Sequence, residues 1–130
     1  MNWRRGVAAV AALIALGGTA EADILSAGPG YGGPEQVNGK VVCWLFNAGS
    51  TNVTIPTRQI FHSRLGSATL AGDTCTVALA PQKTCSYYAT AVAGTYTCRV
   101  VTSGTEENIS GSMEIYTPAD YPLVSLPMKK

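Results

Sequence analysis

Four cysteines restrict this chain of 130 residues more than any other feature: Cys43, Cys75, Cys85 and Cys98. An even number of cysteines in a small exported chain is typical of structural disulfides. The alternative is a metal or redox site. There is no C-x-x-C motif, however, and the single histidine, His62, has no ligand-like spacing to any cysteine. We therefore predict two disulfides, with no bound metal and no cofactor.

The amino terminus has the pattern of a secretory signal peptide. Arg4 and Arg5 precede an apolar run over residues 6–16, and small residues then lead to Ala22. A helix that spans a bilayer needs about 20 apolar residues, roughly twice the length of this run. We predict cleavage between Ala22 and Asp23, which releases the chain from the membrane into the periplasm or the medium.

Removal of this segment also changes the charge of the chain. The whole sequence has 9 Lys and Arg residues and 8 Asp and Glu residues. Two of the basic residues and one of the acidic residues lie in 1–22, so residues 23–130 hold seven of each sign. Capture of nucleic acid or of an anionic membrane needs concentrated positive charge. The balanced charge argues against both as partners.

Three disulfide pairings are possible for four cysteines. The sequence favours Cys75–Cys85, because this pair flanks a turn-like segment centred on Pro81 and would staple a hairpin. The remaining pair, Cys43–Cys98, then joins two strong strand candidates that are far apart in the chain. A loop-closure estimate gives about 3 kcal/mol for the short bridge and about 4 kcal/mol for the long one.

After the signal, apolar residues alternate with polar ones, and Gly, Pro and Ser punctuate the pattern. This pattern predicts an all-β, antiparallel sandwich with no helix longer than one turn. The predicted strands are Lys40–Asn47, Asn52–Pro56, Arg58–Ser63, Thr69–Ala80, Cys85–Ala91, Thr95–Thr102 and Asn108–Tyr116.

These patterns divide the chain into four parts. The signal peptide covers 1–22, and a Gly- and Pro-rich stretch over 23–39 predicts a loop or loosely attached arm. The sandwich domain covers 40–117, and 118–130 is a carboxyl-terminal tail. We expect one domain of ordinary size.

The stretch Gly94-Thr95-Tyr96-Thr97-Cys98 resembles the G-x-Y-x-C sequence around the second bridging cysteine of immunoglobulin domains. In those domains the tyrosine makes a corner hydrogen bond to the backbone. The resemblance implies an immunoglobulin-like sandwich with Cys43 on strand B and Cys98 on strand F. It differs from that family in having Val92 at a position that is usually Asp, and in lacking a Trp about a dozen residues after Cys43.

A second resemblance covers most of residues 23–130. The blocks CWLFNAGS at 43–50, CTVALAPQKTC at 75–85 and YTCRV at 96–100 are similar to a group of small bacterial exported four-cysteine proteins of uncharacterised activity. The middle block also resembles the LAPG-x-x-C stretch of bacterial surface β-sandwich repeats, with Gln82 in place of the usual Gly. Both resemblances imply a bacterial exported sandwich and no particular chemistry.

Candidate catalytic residues are few. His62 is next to Ser63, but neighbours on a strand point to opposite faces, so we predict a surface or rim histidine instead of a catalytic pair. Glu106 and Glu107 lie in a Ser, Gly and Thr loop typical of a solvated hairpin tip. No nucleophile elbow, phosphate loop or calcium loop is present in the sequence. We therefore expect that this protein is not an enzyme.

The most suggestive feature is on the first predicted strand. If Val41, Cys43 and Leu45 face the core, alternation turns the other set to the opposite side of the sheet: Val42, Trp44 and Phe46. An exposed stripe of this kind would mark an interaction surface. The alternative is that the Gly-rich arm or the carboxyl-terminal tail covers it.

Two functions compete on this basis. The first is an exported, non-enzymatic binding or structural module with a protein or glycan partner. The second is an inhibitor of a secreted or host hydrolase, since rigid disulfide-bonded loops lose little entropy on binding. The Glu106-Glu107 loop would be the inhibitory element.

Overall fold

The computed structural model describes residues 23–103 and 108–130. The predicted signal peptide, with Ala22 at its cleavage site, lies outside the described residues, as does the Glu106-Glu107 pair. The described part is built from β-strands and one short 3-10 helix, Pro34–Gln36. In chain order the strands are β1 Asp23–Gly32, β2 Lys40–Asn47, β3 Thr57–His62, β4 Gly66–Ser67, β5 Gly72–Asp73, β6 Thr84–Thr90, β7 Gly94–Thr102, β8 Ile109–Tyr116 and β9 Pro122–Pro127.

The strands form two antiparallel sheets in a sandwich-like arrangement. One sheet has four strands in the order β1-β7-β3-β4, and the other has five in the order β5-β6-β2-β8-β9. The central strands β7 and β2 are long, and the two-residue strands β4 and β5 lie at edges. The prediction of an all-β fold with two disulfides is confirmed.

The core lies between the two sheets, and the period-two alternation of the strands fills it. On β2, β6, β7 and β8 every second residue is buried while its neighbours are half-buried or exposed, apart from buried Val42 and half-buried Gly94 and Gly111. The largest fully buried side chains come from both sheets: Tyr87, Tyr96, Leu45, Ile60, Met113 and Ile115. Alternation visible in the sequence therefore becomes the packing of one shared core.

Both disulfides have the pairing that the sequence favoured. Cys43 on β2 is bonded to Cys98 on β7 and so connects the two sheets through the core. Cys75 is bonded to Cys85 on β6 and ties the segment after β5 to its neighbouring strand. Two disulfides are typical of an oxidising, extracellular environment.

Tyr96 makes the hydrogen bonds that the G-x-Y-x-C resemblance implies. Its hydroxyl donates to the carbonyl oxygen of Val92 at 2.9 Å and accepts from the Val92 amide at 2.7 Å. Gly94 starts the strand with a φ of +152°, and a Cβ there would lie 2.1 Å from Nε2 of His62. The turn into β7 therefore requires glycine at 94.

The expectation of a loose arm over 23–39 is wrong for its first ten residues. Asp23–Gly32 forms β1, which is antiparallel to β7 from the Asp23–Thr102 pair to the Gly32–Gly94 pair. The glycines that suggest a loop serve close packing here, since a Cβ on Gly30 would lie 2.6 Å from Cε of Met113. Composition alone does not reveal that requirement.

The tail over 118–130 is also part of the sheet. Pro122–Pro127 forms β9 beside β8, and Val124 and Leu126 pack against the core. Beyond β9, Ser26 and Lys129 exchange two backbone hydrogen bonds of 2.8 Å. These bonds connect the edge of one sheet to the edge of the other, so the sandwich extends past the predicted limits of 40–117.

Two predicted strands are largely irregular. Only Gly72–Asp73 of the Thr69–Ala80 segment forms a strand, and Asn52–Pro56 contributes a single bridge between Val53 and Leu79. Backbone hydrogen bonds from Ala71 and Thr74 to β6 hold the 69–80 segment, and side chains add to them. Asp73 pairs with Arg58 of the opposite sheet at 2.6 Å and accepts the Cys75 amide at 2.8 Å.

Candidate functional site: the outer face of the five-stranded sheet

Strand β2 occupies the middle of the five-stranded sheet, between β6 and β8. Its inward residues Val41, Cys43 and Leu45 are no more than 1% exposed. Of the predicted outward stripe, Trp44 is 39% exposed and Phe46 is half-buried, but Val42 is only 6% exposed. The exposed part of the stripe is therefore the Trp44–Phe46 end.

Cross-strand neighbours explain the difference along this stripe. Val42 lies opposite Tyr88 on β6 and Glu114 on β8, two long side chains on the same face. Trp44 lies opposite Ser86 and Ser112. Because neighbours on one face of a sheet shield each other, the large pair covers Val42 while the small pair leaves the indole open.

The next position repeats the pattern. Phe46 lies opposite Thr84 on β6 and Ser110 on β8. Two aromatic rings on the central strand thus stand between rows of small hydroxyl side chains. We call this surface the aromatic ridge: Trp44 and Phe46 with their flanking residues Thr84, Ser86, Ser110 and Ser112.

A carboxylate holds the indole of the ridge in place. The Nε1–H of Trp44 donates to Oε2 of Glu114 at 3.0 Å, and the Tyr116 hydroxyl donates to the same oxygen. The hydrogen bond to Glu114 raises the pKa of Tyr116 above its ordinary value, with smaller contributions from partial burial and the carboxylate charge. The proton of Tyr116 is therefore retained, and the cluster orients the ring of Trp44.

An open groove of about 290 Å³ runs beside the ridge. Its lining comes from β2, β6 and β8 and carries no charged side chain: Trp44, Leu45, Phe46, Thr84, Ser110, Gly111 and Ser112. This surface can offer a ring face for stacking and hydroxyl groups for hydrogen bonds.

Neither of the segments expected to cover the stripe lies over it. The tail adds β9 to the edge of the sheet beyond β8, and the arm forms β1 in the other sheet. Lys40 is the first residue of β2, at the end where Val42 is covered. It pairs with Asp120 at 2.8 Å, and that contact raises the pKa of the lysine. The ridge is open among the described residues.

His62 is buried, which corrects the prediction of a surface or rim position. Its side chain is 5% exposed, and Nδ1 accepts the amides of Arg64 and Leu65 at 3.2 and 3.1 Å. The proton is therefore on Nε2, which donates to the Ala93 carbonyl oxygen at 3.1 Å. Both ring nitrogens are engaged with backbone, and the edge of the ring contacts Tyr96.

A second cavity, of about 490 Å³, lies at this end of the molecule. His62 and Tyr96 contribute to its wall, together with apolar residues of the 65–71 segment and Ala89 and Val92. Because His62 and Tyr96 both bond to backbone groups, neither presents a free polar atom to a ligand there.

Four carboxylates are engaged with nearby groups. Asp23 lies 3.4 Å from Lys130, and Asp73, Asp120 and Glu114 have the partners given above. Within residues 23–103 and 108–130, no three His, Cys, Asp or Glu side chains form a group that could hold a metal ion. The same residues contain no helix long and apolar enough to cross a membrane. The proposed inhibitory pair Glu106-Glu107 lies outside the described residues.

Sequence reasoning identified Trp44 and Phe46 but missed their partners. Glu114, Ser110 and Ser112 were recognisable as one face of β8 from the alternation of that strand. Their position beside Trp44 follows from the register of β2 with β8, which the alternation does not specify.

The comparisons with known proteins give no further guide, since no family model, no curated protein and no solved structure matches this chain.

Proposed function

We propose that this chain is an exported, non-enzymatic binding protein that holds its partner on the aromatic ridge. The observation that carries the proposal is the exposure of Trp44 on the central strand of a sheet. A hydrogen bond to the carboxylate of Glu114 orients its indole ring. Indole rings that are exposed and preorganised are enriched at binding surfaces, because they offer large contact area at low entropic cost.

Export is supported by two independent features. Residues 1–22 have the charge and hydropathy pattern of a cleaved signal. The two buried disulfides suit an oxidising compartment such as the periplasm or the medium.

The architecture is an immunoglobulin-like sandwich with its flanking strands exchanged. If β2, β3, β5, β6 and β7 correspond to strands B, C, D, E and F, they divide between the sheets as in immunoglobulin domains. There, the first strand lies beside B and the last beside F. Here β1 lies beside β7 and β8 beside β2. The exchange leaves B in the middle of its sheet, with the ridge on it.

A face is a better binding surface than an edge in this molecule. The edge strands β4 and β5 have two residues each, which gives an added strand little backbone to pair with. At the opposite side, the Ser26–Lys129 hydrogen bonds occupy part of both edges. Partners that add a strand to a sheet need a longer free edge.

The proposal is tested by capture from the host's periplasm and medium. Purified residues 23–130 are cross-linked there, and the adducts are compared with those of Trp44→Ala/Phe46→Ala. We expect an adduct that the double variant loses. Tyr31→Ala is the matched control, since Tyr31 is 64% exposed on the other sheet. An adduct that forms equally with the double variant contradicts the proposal, as does the absence of both a captured adduct and a ligand whose binding depends on Trp44.

A further inference from the structure

We propose that the occupant of the aromatic ridge is a neutral oligosaccharide. This inference rests on the proposed function, since it names the ligand class of the same surface. Three properties of the ridge carry it: the spacing of its rings, the chemistry of their neighbours and the absence of charge in the groove.

The rings form a short linear platform. Trp44 and Phe46 are two residues apart on an extended strand, so their Cα atoms are separated by about 7 Å along the sheet. Both rings lie on the same face, and the smaller residues beside them do not cover them. Such a platform suits an extended chain of rings that lies along β2, with the apolar ring faces stacked on the aromatic side chains.

Hydroxyl groups flank this platform on both sides. Thr84 and Ser86 come from β6, and Ser110 and Ser112 come from β8. Each hydroxyl can donate and accept hydrogen bonds, as can each hydroxyl of a sugar. A protein partner would instead require an apolar patch larger than two rings to form a stable interface. The ridge has an apolar strip on β2 and hydroxyl groups on either side of it. A sugar ring has a matching arrangement, with apolar faces and hydroxyl groups around its rim.

Two charged side chains on the face of the ridge already have partners. Glu114 accepts hydrogen bonds from Trp44 and Tyr116, and Lys40 pairs with Asp120. The groove itself is lined by uncharged residues. An anionic glycan or a nucleic acid would find no free cation in that lining, so the surface favours a neutral ligand.

The test uses the intrinsic fluorescence of the protein. Of the two tryptophans in the sequence, Trp3 precedes the predicted cleavage site, so purified residues 23–130 report on Trp44 alone. The protein is titrated with cellohexaose, mannohexaose, xylohexaose, maltohexaose and chitohexaose, and with a heparin hexasaccharide as the anionic comparison. We expect a saturable change in emission with at least one neutral hexaose and none with heparin.

Variants locate the site, with binding followed by calorimetry because Trp44→Ala removes the fluorophore. Trp44→Ala is expected to weaken binding at least about tenfold, as loss of a stacked ring does, while Trp44→Phe retains part of the affinity. Tyr31→Ala is the control with unchanged affinity. Circular dichroism and thermal melting establish that each variant is folded.

Three results would overturn the inference: no neutral hexaose binds, heparin binds more tightly, or Trp44→Ala binds as the unchanged protein does. If no hexaose binds but a Trp44-dependent protein adduct is captured, the ligand class is wrong and the proposed function stands. If neither is found, both fail.

Discussion

Strand β2 has two faces of similar hydrophobicity that serve different ends. The inward face is fully enclosed by the opposite sheet, whereas the outward face is covered at one end and open at the other. Its six alternating residues are Val41, Cys43 and Leu45 inward and Val42, Trp44 and Phe46 outward. The contrast teaches that neighbours on adjacent strands, more than the residues themselves, decide whether an apolar side chain stabilises the fold or remains available for binding. Substitutions on the two faces should therefore separate stability from function.

The largest effect is expected from the disulfide on the inward face. Replacement of Cys43 and Cys98 by Ala removes a crosslink that spans 55 residues and should lower the free energy of unfolding by about 4 kcal/mol. The Cys75→Ala/Cys85→Ala variant loses a span of 10 residues and should lose about 3 kcal/mol. Urea denaturation of all three proteins measures both. A larger loss from the short bridge would contradict the loop-closure argument.

The next largest effect on stability is expected from Leu45→Ala. Leu45 faces inward and is the direct comparison for the outward-facing residue beside it, Trp44. Leu45 is 1% exposed, so truncation leaves a cavity in the core and should cost about 2–4 kcal/mol. Saccharide binding should persist under conditions in which the variant is still folded. Calorimetric titration below the melting temperature checks this expectation, and an intact fold with lost binding would show that the two faces are coupled.

Tyr87→Phe tests how the pH dependence of stability is linked to a tyrosine in the core. Tyr87 is on β6. Tyr87 is fully buried, and its hydroxyl donates to the Arg99 carbonyl oxygen at 3.1 Å. Burial raises its pKa above the ordinary value, the charge of Asp73 raises it further, and Arg58 partly opposes the shift. Since the folded-state pKa is the higher one, this stabilisation is complete below about pH 10, where unfolded tyrosine titrates, and is lost as the pH rises toward the folded value.

The unchanged protein should therefore lose stability above pH 10 more steeply than Tyr87→Phe, by up to about 1.4 kcal/mol per pH unit. At pH 7 the variant should be less stable by about 1 kcal/mol, because it lacks the hydrogen bond. Urea midpoints measured from pH 7 to 11 give both slopes. Parallel curves would show that Tyr87 ionises equally in the folded and unfolded chains.

The smallest stability effect belongs to the outward face. Trp44→Ala should lower the free energy of unfolding by less than about 1 kcal/mol, because its cross-strand neighbours Ser86 and Ser112 offer the ring few apolar contacts. Thermal melting provides the measurement. A loss as large as that of Leu45→Ala would place Trp44 among the structural residues and remove the distinction between the faces.

Local patterns predicted the interior strands well. The bounds of β2, Lys40–Asn47, agree with the structure. Those of β7 and β8 differ by one residue at one end, and β6 is shifted by one residue at both ends. These strands are long and have one face in the core, so burial imposes a period of two on the sequence itself. The favoured disulfide pairing follows from the turn-like segment around Pro81 and from the strand candidates that carry Cys43 and Cys98.

Edge elements were predicted poorly because their reasons are not local. β1 consists largely of small residues that fit beneath Met113 and Ile115 of the facing sheet, and β9 contains two prolines that do not prevent its pairing with β8. The Thr69–Ala80 segment alternates like a strand, yet the bonds of Asp73 and Cys75 hold most of it irregular. His62 was placed at the surface because one residue type gives no evidence of the loop that closes over it.

The sequence by itself determined the all-β class, the two-disulfide framework and the alternation that turns Trp44 away from the core. The class and the alternation depend on residues near one another in the chain, and the disulfide framework depends on the number of cysteines and on their strand and turn contexts. Only the tertiary structure decided which surface is open. The register of β2 with β6 and β8 sets Tyr88 and Glu114 beside Val42 but serines beside Trp44. Register is a relation between distant strands, and it leaves Val42 covered while the indole of Trp44 is exposed.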